Sequence, residues 1–236
     1  MATEQATQPQ EPTAKAVRLL LIGPPGAGKG TQANYLTDRF QVPHISTGDM
    51  LREQIRRGTS LGEEAASYIN QGNLVPDDLI FNMLKRRLSQ ADVRGGFVLD
   101  GYPRSQQQAE GLNEFLTERD EQVSAAVLLV LDDEIIIARL GQRRVCPECG
   151  RVYHLTKNPP KTSDRCDEYH CRGTLVQRPD DNETAIRNRL DIYHAQTEDV
   201  IAFYRAKGLL DEIDADGEIL RVQIAIERAL EKRLKA

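Results

Sequence analysis

The residues best suited to chemistry lie in a short glycine-rich segment, GPPGAGKGT, near the start of the chain. Its candidate phosphate-contacting residues are Gly23, Gly26, Ala27, Gly28, Lys29, Gly30 and Thr31. Glycines let a backbone curl until its N–H groups point at phosphate oxygens, and a following helix adds its positive dipole end. A lysine at this spacing reaches the β- and γ-phosphates. Because Gly30 follows the lysine and the hydroxyl comes at Thr31, we predict a variant Walker loop rather than a plain Gly/Pro turn.

A second chemical signal is a set of four cysteines, all between Cys146 and Cys171. Cys146 and Cys149 form a CxxC pair, and four residues separate Cys166 from Cys171. Zinc in a closed structural site takes four nitrogen or sulfur ligands. Four cysteines are the favoured ligand set because they leave no free thiol beside the metal. Replacement of Cys171 by His170, two disulfides, and a metal-free segment held by hydrogen bonds remain alternatives.

Composition limits the class of protein. The chain has 236 residues with a formal net charge of −5, which argues against a general nucleic-acid binder. We find no apolar run near the roughly 20 residues of a membrane span. The polar residues 1–15 lack a signal core and are expected to form a disordered tail. We expect a cytoplasmic protein, in which thiols stay reduced.

Short apolar runs that alternate with helical patterns must position these residues. Strands are predicted at residues 17–23, 97–101, 125–132 and near 209–217. Helices are predicted at residues 77–90, 105–118, 133–140 and 218–234, and in a long stripe of Ile186, Leu190, Tyr193, Thr197, Val200 and Tyr204. This alternation indicates an α/β fold, a doubly wound parallel sheet of about five strands with helices on both faces. The predicted core comprises residues 16–45, 76–141 and 183–236, with a helical insert at 46–75 and a cysteine-bearing insert at 142–182.

Four motifs occur together in the order GPPGAGKGT, HISTGDMLR, FVLDGYPRSQQQAE and RPDDNETAIRNRL. From about Ala16 onward the chain therefore resembles the adenylate kinase family. The cysteine-bearing insert resembles the long lid of bacterial-type members, many of which hold zinc there. The spacing of Cys166 and Cys171 departs from the family, whose second pair is usually CxxC or CxxD.

The resemblance implies the reaction ATP + AMP ⇌ 2 ADP, with Mg²⁺ accompanying ATP and a structural Zn²⁺ in the lid. Such transfer needs no covalent nucleophile; it needs two phosphate groups held in line, neutralised charge and excluded water. The implied partners are ATP, AMP and ADP, with no nucleic acid and no membrane, and the implied state is a monomer.

The resemblance also implies site residues. For ATP these are Gly26, Ala27, Gly28, Lys29, Gly30, Thr31, Arg139, Val152, Tyr153 and Ile219. For AMP they are Thr47, Arg52, Asn73, Leu74, Val75, Gly101, Tyr102, Pro103, Arg104, Gln108, Arg178 and Arg189. The implied catalytic set is Lys29, Arg104, Arg139, Arg143, Arg178, Arg189, Asp180 and Asp181, and Asp100 would meet magnesium through water.

Several of these assignments carry a local structural expectation. Thr47 would also cap the following helix, and Arg139 and Arg143 would share a helix face if their helix continues. Asp180 and Asp181 would either orient arginines or cap the long helix. Gln108 would pair its amide with adenine. The rival functions are a kinase for UMP or CMP, a kinase with GTP as donor, and a nucleotide-dependent regulatory or zinc-ribbon module.

Overall fold

The computed structural model describes residues 16–234, and the predicted tail at residues 1–15 lies outside them. Within the described residues, no helix is long and apolar enough to cross a membrane. The strands of the described residues are β1 (Val17–Ile22), β2 (His44–Ser46), β3 (Gly96–Asp100), β4 (Ala125–Val130), β5 (Arg143–Val145), β6 (Val152–His154) and β7 (Leu210–Asp214). The α-helices between residues 16 and 234 are α1 (Lys29–Phe40), α2 (Thr47–Arg56), α3 (Ser60–Ile69), α4 (Asp77–Leu88), α5 (Gln106–Thr117), α6 (Asp133–Gly141), α7 (Glu183–Ala206) and α8 (Ile219–Leu234).

Five strands form one parallel sheet in the order β2-β3-β1-β4-β7. The predicted α/β fold is therefore confirmed. Strand β2 was not predicted, because three residues are too few to show a pattern of period two. Its place at the edge brings Ser46 opposite Asp100 on β3, so the strands of two sequence motifs end at the same carboxyl edge of the sheet.

Helices cover both faces because alternate strand residues point to opposite sides. On one face Leu20 and Leu99 belong to a core cluster that includes buried residues of α4 and α5. On the other face Leu19 and Val127 belong to a cluster that includes buried residues of α1, α6 and α8. Both sides of the sheet are thus buried, and polar chemistry is left to the strand ends.

The long helix α7 contributes to both clusters. Ile186 and Leu190 pack in one cluster, while Val200 and Tyr204 pack in the other. The predicted stripe is therefore divided between the two faces of the sheet, and Tyr193 within it is only partly buried. The N-terminal half of α7 therefore packs in one cluster and its C-terminal half in the other.

The two predicted inserts have separate structures. Helices α2 and α3 make up most of the first, and the second contains the antiparallel pair of β5 and β6. Helix α6 ends at Gly141, and Arg143 pairs with His154 in the β5–β6 ladder. The expectation that Arg139 and Arg143 share a helix face is wrong, because the backbone of Arg143 is already extended.

Candidate active site

The glycine-rich segment forms the turn between β1 and α1. Gly28 caps α1 with φ of 95° and gives no side-chain hydrogen bond. A left-handed residue without a side chain leaves the first N–H groups of the helix open to an anion. The Lys29 ammonium lies over this turn and donates to the carbonyl oxygens of Gly23 and Pro24, each at 2.8 Å. The turn therefore offers fixed positive charge at the sheet edge.

Burial lowers the pKa of Lys29 from 10.5 to about 8. The carboxylate of Asp100 opposes this shift, whereas Arg104, Arg189 and Arg143 add to it through charge repulsion. A group of like charges held this closely is relieved by binding an anion. The electrostatics thus make the centre of the candidate site favourable for an anion.

Asp180 and Asp181 orient two of these arginines. Arg143 donates through Nε and Nη2 to the two oxygens of Asp181, whose side chain is fully buried. Arg189 Nη1 donates to Asp180 Oδ2 at 2.8 Å. Asn182, not either aspartate, caps α7, because its side chain accepts from Ala185 N at 3.0 Å. Of the two expected roles for the aspartates, the structure has the orienting one.

Arg178 joins the end of the second insert to α2. Its Nη2 lies 3.7 Å from Asp49 Oδ1, and Arg52 Nη2 donates to the same oxygen at 2.6 Å. Burial lowers the pKa of Arg178 to about 10, and the charges of Arg52 and Arg143 contribute. The structure therefore brings Arg52, Arg143 and Arg178 close together. Asp49 has a role that the sequence analysis missed, although it lies inside the quoted HISTGDMLR motif.

The turn after β3 gathers the next predicted residues. Thr47 Oγ1 donates to the carbonyl oxygen of Gly101 at 3.0 Å, and Arg104 Nε donates to it at 2.8 Å. The Tyr102–Pro103 peptide bond in this turn is cis. Burial lowers the pKa of the Arg104 guanidinium, and Asp100 opposes that shift.

Thr47 is not the cap of α2, so that expectation is wrong. The cap is Ser46, whose hydroxyl accepts from Asp49 N at 3.2 Å. A capping residue has non-helical backbone angles. Ser46 has them as the last residue of β2, while Thr47 is already helical.

Asp100 ends β3 and faces the start of α1. A Cβ added at Gly30 would lie 3.8 Å from Asp100 Oδ2. A carboxylate at this distance from a phosphate-binding turn is suited to a hydrated divalent cation. His44, on the neighbouring strand, has its Nε2 3.8 Å from the same oxygen. The sequence analysis missed His44, which only the pairing of β2 with β3 places here.

The predicted nucleoside contacts fall into two groups. The side chain of Gln108 is buried beside Arg104 N. Asn73 Oδ1 accepts from Asn188 on α7 at 2.8 Å, which ties the segment Asn73, Leu74 and Val75 to that helix. Across the site, Ile219 opens α8 with 52% of its surface exposed, and its carbonyl accepts from Gln32 at 3.4 Å.

Two predicted ATP-binding side chains have unexpected positions. Arg139 Nη2 donates to the carbonyl of Ala215 and lies 3.6 Å from Asp216, in the segment just before Ile219. The Tyr153 ring is buried inside the second insert, where its hydroxyl accepts from Asp167 N at 2.7 Å. This ring is therefore not open to cover a base, whereas Val152 is exposed.

The four cysteines form one compact cluster in which none is joined to another by a disulfide bond. Their four sulfur atoms lie within 4.8 Å of one another, with Cys146 to Cys171 at 3.4 Å and Cys149 to Cys166 at 3.5 Å. A tetrahedral zinc site with Zn–S bonds of about 2.3 Å needs sulfur atoms about 3.8 Å apart. The cluster is therefore compatible with zinc.

The surroundings of the cluster favour four sulfur ligands over three with His170. His170 is exposed, and its ring contacts Tyr169 at a centroid distance of 4.5 Å. A Cβ added at Gly173 would lie 2.6 Å from Cys146 Sγ, so the backbone closes tightly around the sulfur atoms. Among the described residues, the group of side chains that could hold a metal ion includes Cys171 and does not include His170.

The sequence profile of the family described as Adenylate kinase matches residues 21–209. An adenylate kinase of Methanocella arvoryzae is 48% identical over 216 residues, which are 92% of this chain and 99% of the relative. One of Moorella thermoacetica is 48% identical over 214 residues, 91% and 98% of the two chains. One of Archaeoglobus fulgidus is 45% identical over 216 residues, again 92% and 99%. None of these three is named as a kinase for another monophosphate.

Proposed function

Because the chain belongs to the adenylate kinase family and transfers a phosphoryl group between ATP and AMP, we propose that Lys29 and the arginines around Asp100 form its transfer centre. The observation that carries this proposal is the lowered pKa of Lys29, which Arg104, Arg143 and Arg189 help to cause. Lys29 begins α1, Arg104 lies in the turn after β3, Arg143 lies on β5 and Arg189 on α7, and the convergence of these cations on one place supports a phosphate-binding role. In the transferring state they would stabilise the charge spread over the phosphoryl oxygens.

The ATP phosphates lie in the turn of Gly26 to Thr31 in this proposal. Adenylate kinases use Mg²⁺ with ATP, and when bound this ion neutralises charge on the β- and γ-phosphates. Asp100 would hold it through water, which is supported by the nearness of its carboxylate to Gly30. Arg139 and Ile219 then lie at the nucleoside end of ATP, which is supported by the contact of Arg139 with Ala215.

AMP lies on the opposite side, between the first insert and the turn after β3. Arg52 and Arg104 bind its phosphate, since a planar guanidinium donates to two oxygens at once. The remaining contacts with the nucleotide in this proposal come from Thr47, Asn73, Leu74, Val75, Gly101, Tyr102, Pro103 and Gln108. Arg178 and Arg189 reach the phosphoryl group from the far side, where Asp180 fixes Arg189.

The division into domains follows from these roles. The core comprises residues 16–45, 76–141 and 183–236, the AMP-binding insert comprises 46–75, and the lid comprises 142–182. The lid holds zinc through Cys146, Cys149, Cys166 and Cys171, and closes over ATP as a rigid body that excludes water. The zinc has a structural role, since the four sulfur atoms make a closed set of protein ligands.

We propose that the enzyme acts as a cytoplasmic monomer. Four free thiols fit a reducing compartment. The net charge of −5 is unfavourable for nucleic acid as a partner.

Kinetics with AMP, UMP, CMP and GMP test the acceptor, and two variants test the site. Arg104→Ala should raise the KM for AMP about tenfold or more with little change in the KM for ATP, because a charged hydrogen bond contributes about 1.5–3 kcal/mol. Arg139→Ala should act mainly on ATP or on kcat. Equal transfer to UMP would contradict the acceptor assignment, and unchanged constants in both variants would contradict the arginine assignments.

A further inference from the structure

The side-chain amide of Gln108 is held in one orientation by two neighbours. Gln108 is 3% exposed on α5. Its Oε1 accepts from the backbone N–H of Arg104 at 2.8 Å, and its Nε2 donates to Asp77 Oδ1 at 2.5 Å. A backbone N–H can only donate, and a carboxylate can only accept. If the amide turned over, two N–H groups would face each other and two oxygens would face each other.

Asp77 is itself fixed by a second link to the same helix. It is the first residue of α4, and its Oδ2 accepts from the Ser105 hydroxyl at 3.2 Å. That hydroxyl in turn accepts from Gln108 N at 3.2 Å and caps α5. Asp77 and Gln108 are therefore connected twice, through the amide and through Ser105. The carboxylate cannot swing away without breaking both connections.

A fixed amide matters because the two purine types present opposite patterns. Adenine offers an acceptor at N1 and a donor at N6, whereas hypoxanthine and guanine offer a donor at N1 and an acceptor at O6. A glutamine amide matches either type, depending on which way it faces. The two contacts above use one N–H and one lone pair, so one donor and one acceptor remain for a base.

We propose that Asp77 is a positioning residue that makes the AMP site prefer adenine over 6-oxopurines by preventing rotation of the Gln108 amide. This inference rests on the proposed placement of AMP against Gln108. Asp77 contacts no substrate in this role and acts only through Gln108. A 6-oxopurine would place a donor against the amide donor and an acceptor against the amide acceptor, and such unpaired buried groups strongly disfavour a substrate.

The test compares Asp77→Asn with the matched control Asp78→Asn. Both changes remove one charge from the first turn of α4, but Asp78 is exposed. An asparagine at 77 can donate to the turned amide as well as accept from the native one. We expect the ratio of kcat/KM for AMP to that for IMP to fall about tenfold in Asp77→Asn, because a charged hydrogen bond that fits one amide orientation is replaced by a neutral one that fits both. The ratio in Asp78→Asn should stay within about twofold of wild type.

A double-variant cycle separates positioning from general damage. In a Gln108→Ala background, Asp77→Asn should cause no further fall in the AMP to IMP ratio. Asp77→Glu, which keeps a carboxylate, should recover part of the ratio. The KM for ATP should not change in any of these variants. If thermal unfolding shows that Asp77→Asn is not folded, the same comparison is made with Asp77→Ala and its control Asp78→Ala.

The outcomes are distinct for the proposed function and for this inference. If wild-type protein does not phosphorylate AMP, the proposed function fails. If wild type is selective for AMP but Asp77→Asn and Asp78→Asn have the same ratio, the role of Asp77 is refuted. A fall in the ratio that persists in the Gln108→Ala background also refutes it, since Asp77 would then act independently of the amide.

Discussion

Lys29 shows at the scale of one residue how the fold prepares a site for anions. Its ammonium is held by two carbonyl oxygens of its own turn, yet burial lowers its pKa to about 8. Three neighbouring arginines add to that effect. A phosphate placed here would favour the charged form and raise the pKa again. Binding of ATP is therefore linked to uptake of a proton wherever the free lysine is neutral.

The linkage predicts a pH dependence with a definite sign. At pH 9 a lysine of pKa about 8 is roughly 90% neutral, so ATP binding should take up close to one proton, and at pH 7 only about 0.1. Calorimetry of ATP binding in two buffers of different ionisation enthalpy measures this number. Lys29→Arg stays charged at pH 9 and serves as the control. The same proton uptake by both proteins at pH 9 would contradict the assignment.

Lys29 is also expected to serve charge rather than packing. Lys29→Met should abolish phosphoryl transfer while leaving the Tm nearly unchanged, because the buried core does not depend on the ammonium. Steady-state assays and thermal unfolding of the same preparation check both halves. A variant that keeps a tenth of the wild-type rate would argue against the role of Lys29.

At the scale of elements, the connection of the first insert to α7 depends on a close backbone approach. Gly72 has φ of +76°, and a Cβ there would lie 2.7 Å from the carbonyl oxygen of Ala185. Gly58 has a similar φ of +61° with nothing within 4 Å. Gly72→Ala and Gly58→Ala therefore share the same backbone strain and differ in the steric clash.

Gly72→Ala should destabilise the protein by about 1–3 kcal/mol more than Gly58→Ala, since a clash with backbone cannot relax easily. It should also raise the KM for AMP, because Asn73 to Val75 would move away from α7. Urea unfolding and AMP kinetics measure the two effects. Equal destabilisation by both substitutions would mean that this approach is not tight in solution.

The cysteine cluster of the lid leads to a second prediction at the scale of elements. If the four sulfur atoms bind zinc, purified protein should hold about one zinc per chain, and Cys146→Ser and Cys171→Ser should lose it equally. His170→Ala is the control, since His170 lies outside the cluster, and it should keep the metal. The zinc content of each purified variant distinguishes a site of four cysteines from one in which His170 replaces Cys171. Zinc loss in His170→Ala instead of Cys171→Ser would identify the other ligand set, and metal-free wild type would exclude the site.

At the scale of the whole molecule, the described residues form three hydrophobic clusters of very different size. The two on the faces of the sheet contain about twenty buried residues each, whereas the lid cluster contains only Cys146, Tyr153, Cys166, Cys171 and Leu175. A segment of roughly forty residues with so little apolar contact needs a further constraint to stay folded. Three of those five residues are cysteines, so a metal bound by them would form part of the lid core.

Removal of zinc should therefore unfold the lid before the core. After treatment with a chelator, hydrogen exchange should rise in residues 142–182 while the sheet keeps its protection, because metal binding energy contributes directly to local folding. Activity at low temperature should survive in part, as no cysteine is assigned to substrate. A single cooperative loss of protection across the whole chain would contradict an independent lid.

The sequence by itself determined the class of fold and the kind of chemistry. Buried parallel strands read as continuous apolar runs, so β1, β3 and β4 were visible, and the phosphate-binding turn was recognisable because glycine and lysine at that spacing have few other uses. Four motifs together identified the family, and the cysteines pointed to a metal because thiols cluster in a reducing compartment for few other reasons.

Tertiary structure alone decided which partners those residues meet. The pairing of β2 with β3 brought His44 to Asp100, and the end of α6 at Gly141 separated Arg143 from Arg139. The sequence left open whether Asp181 orients an arginine or caps α7, and the structure pairs it with Arg143. The sequence did not reveal that Tyr153 lies inside the lid or that Asp77 holds Gln108 from 31 positions away. Local sequence patterns show the periodicity of each helix or strand. Contacts between elements depend instead on the order of the strands in the sheet and on where each helix ends.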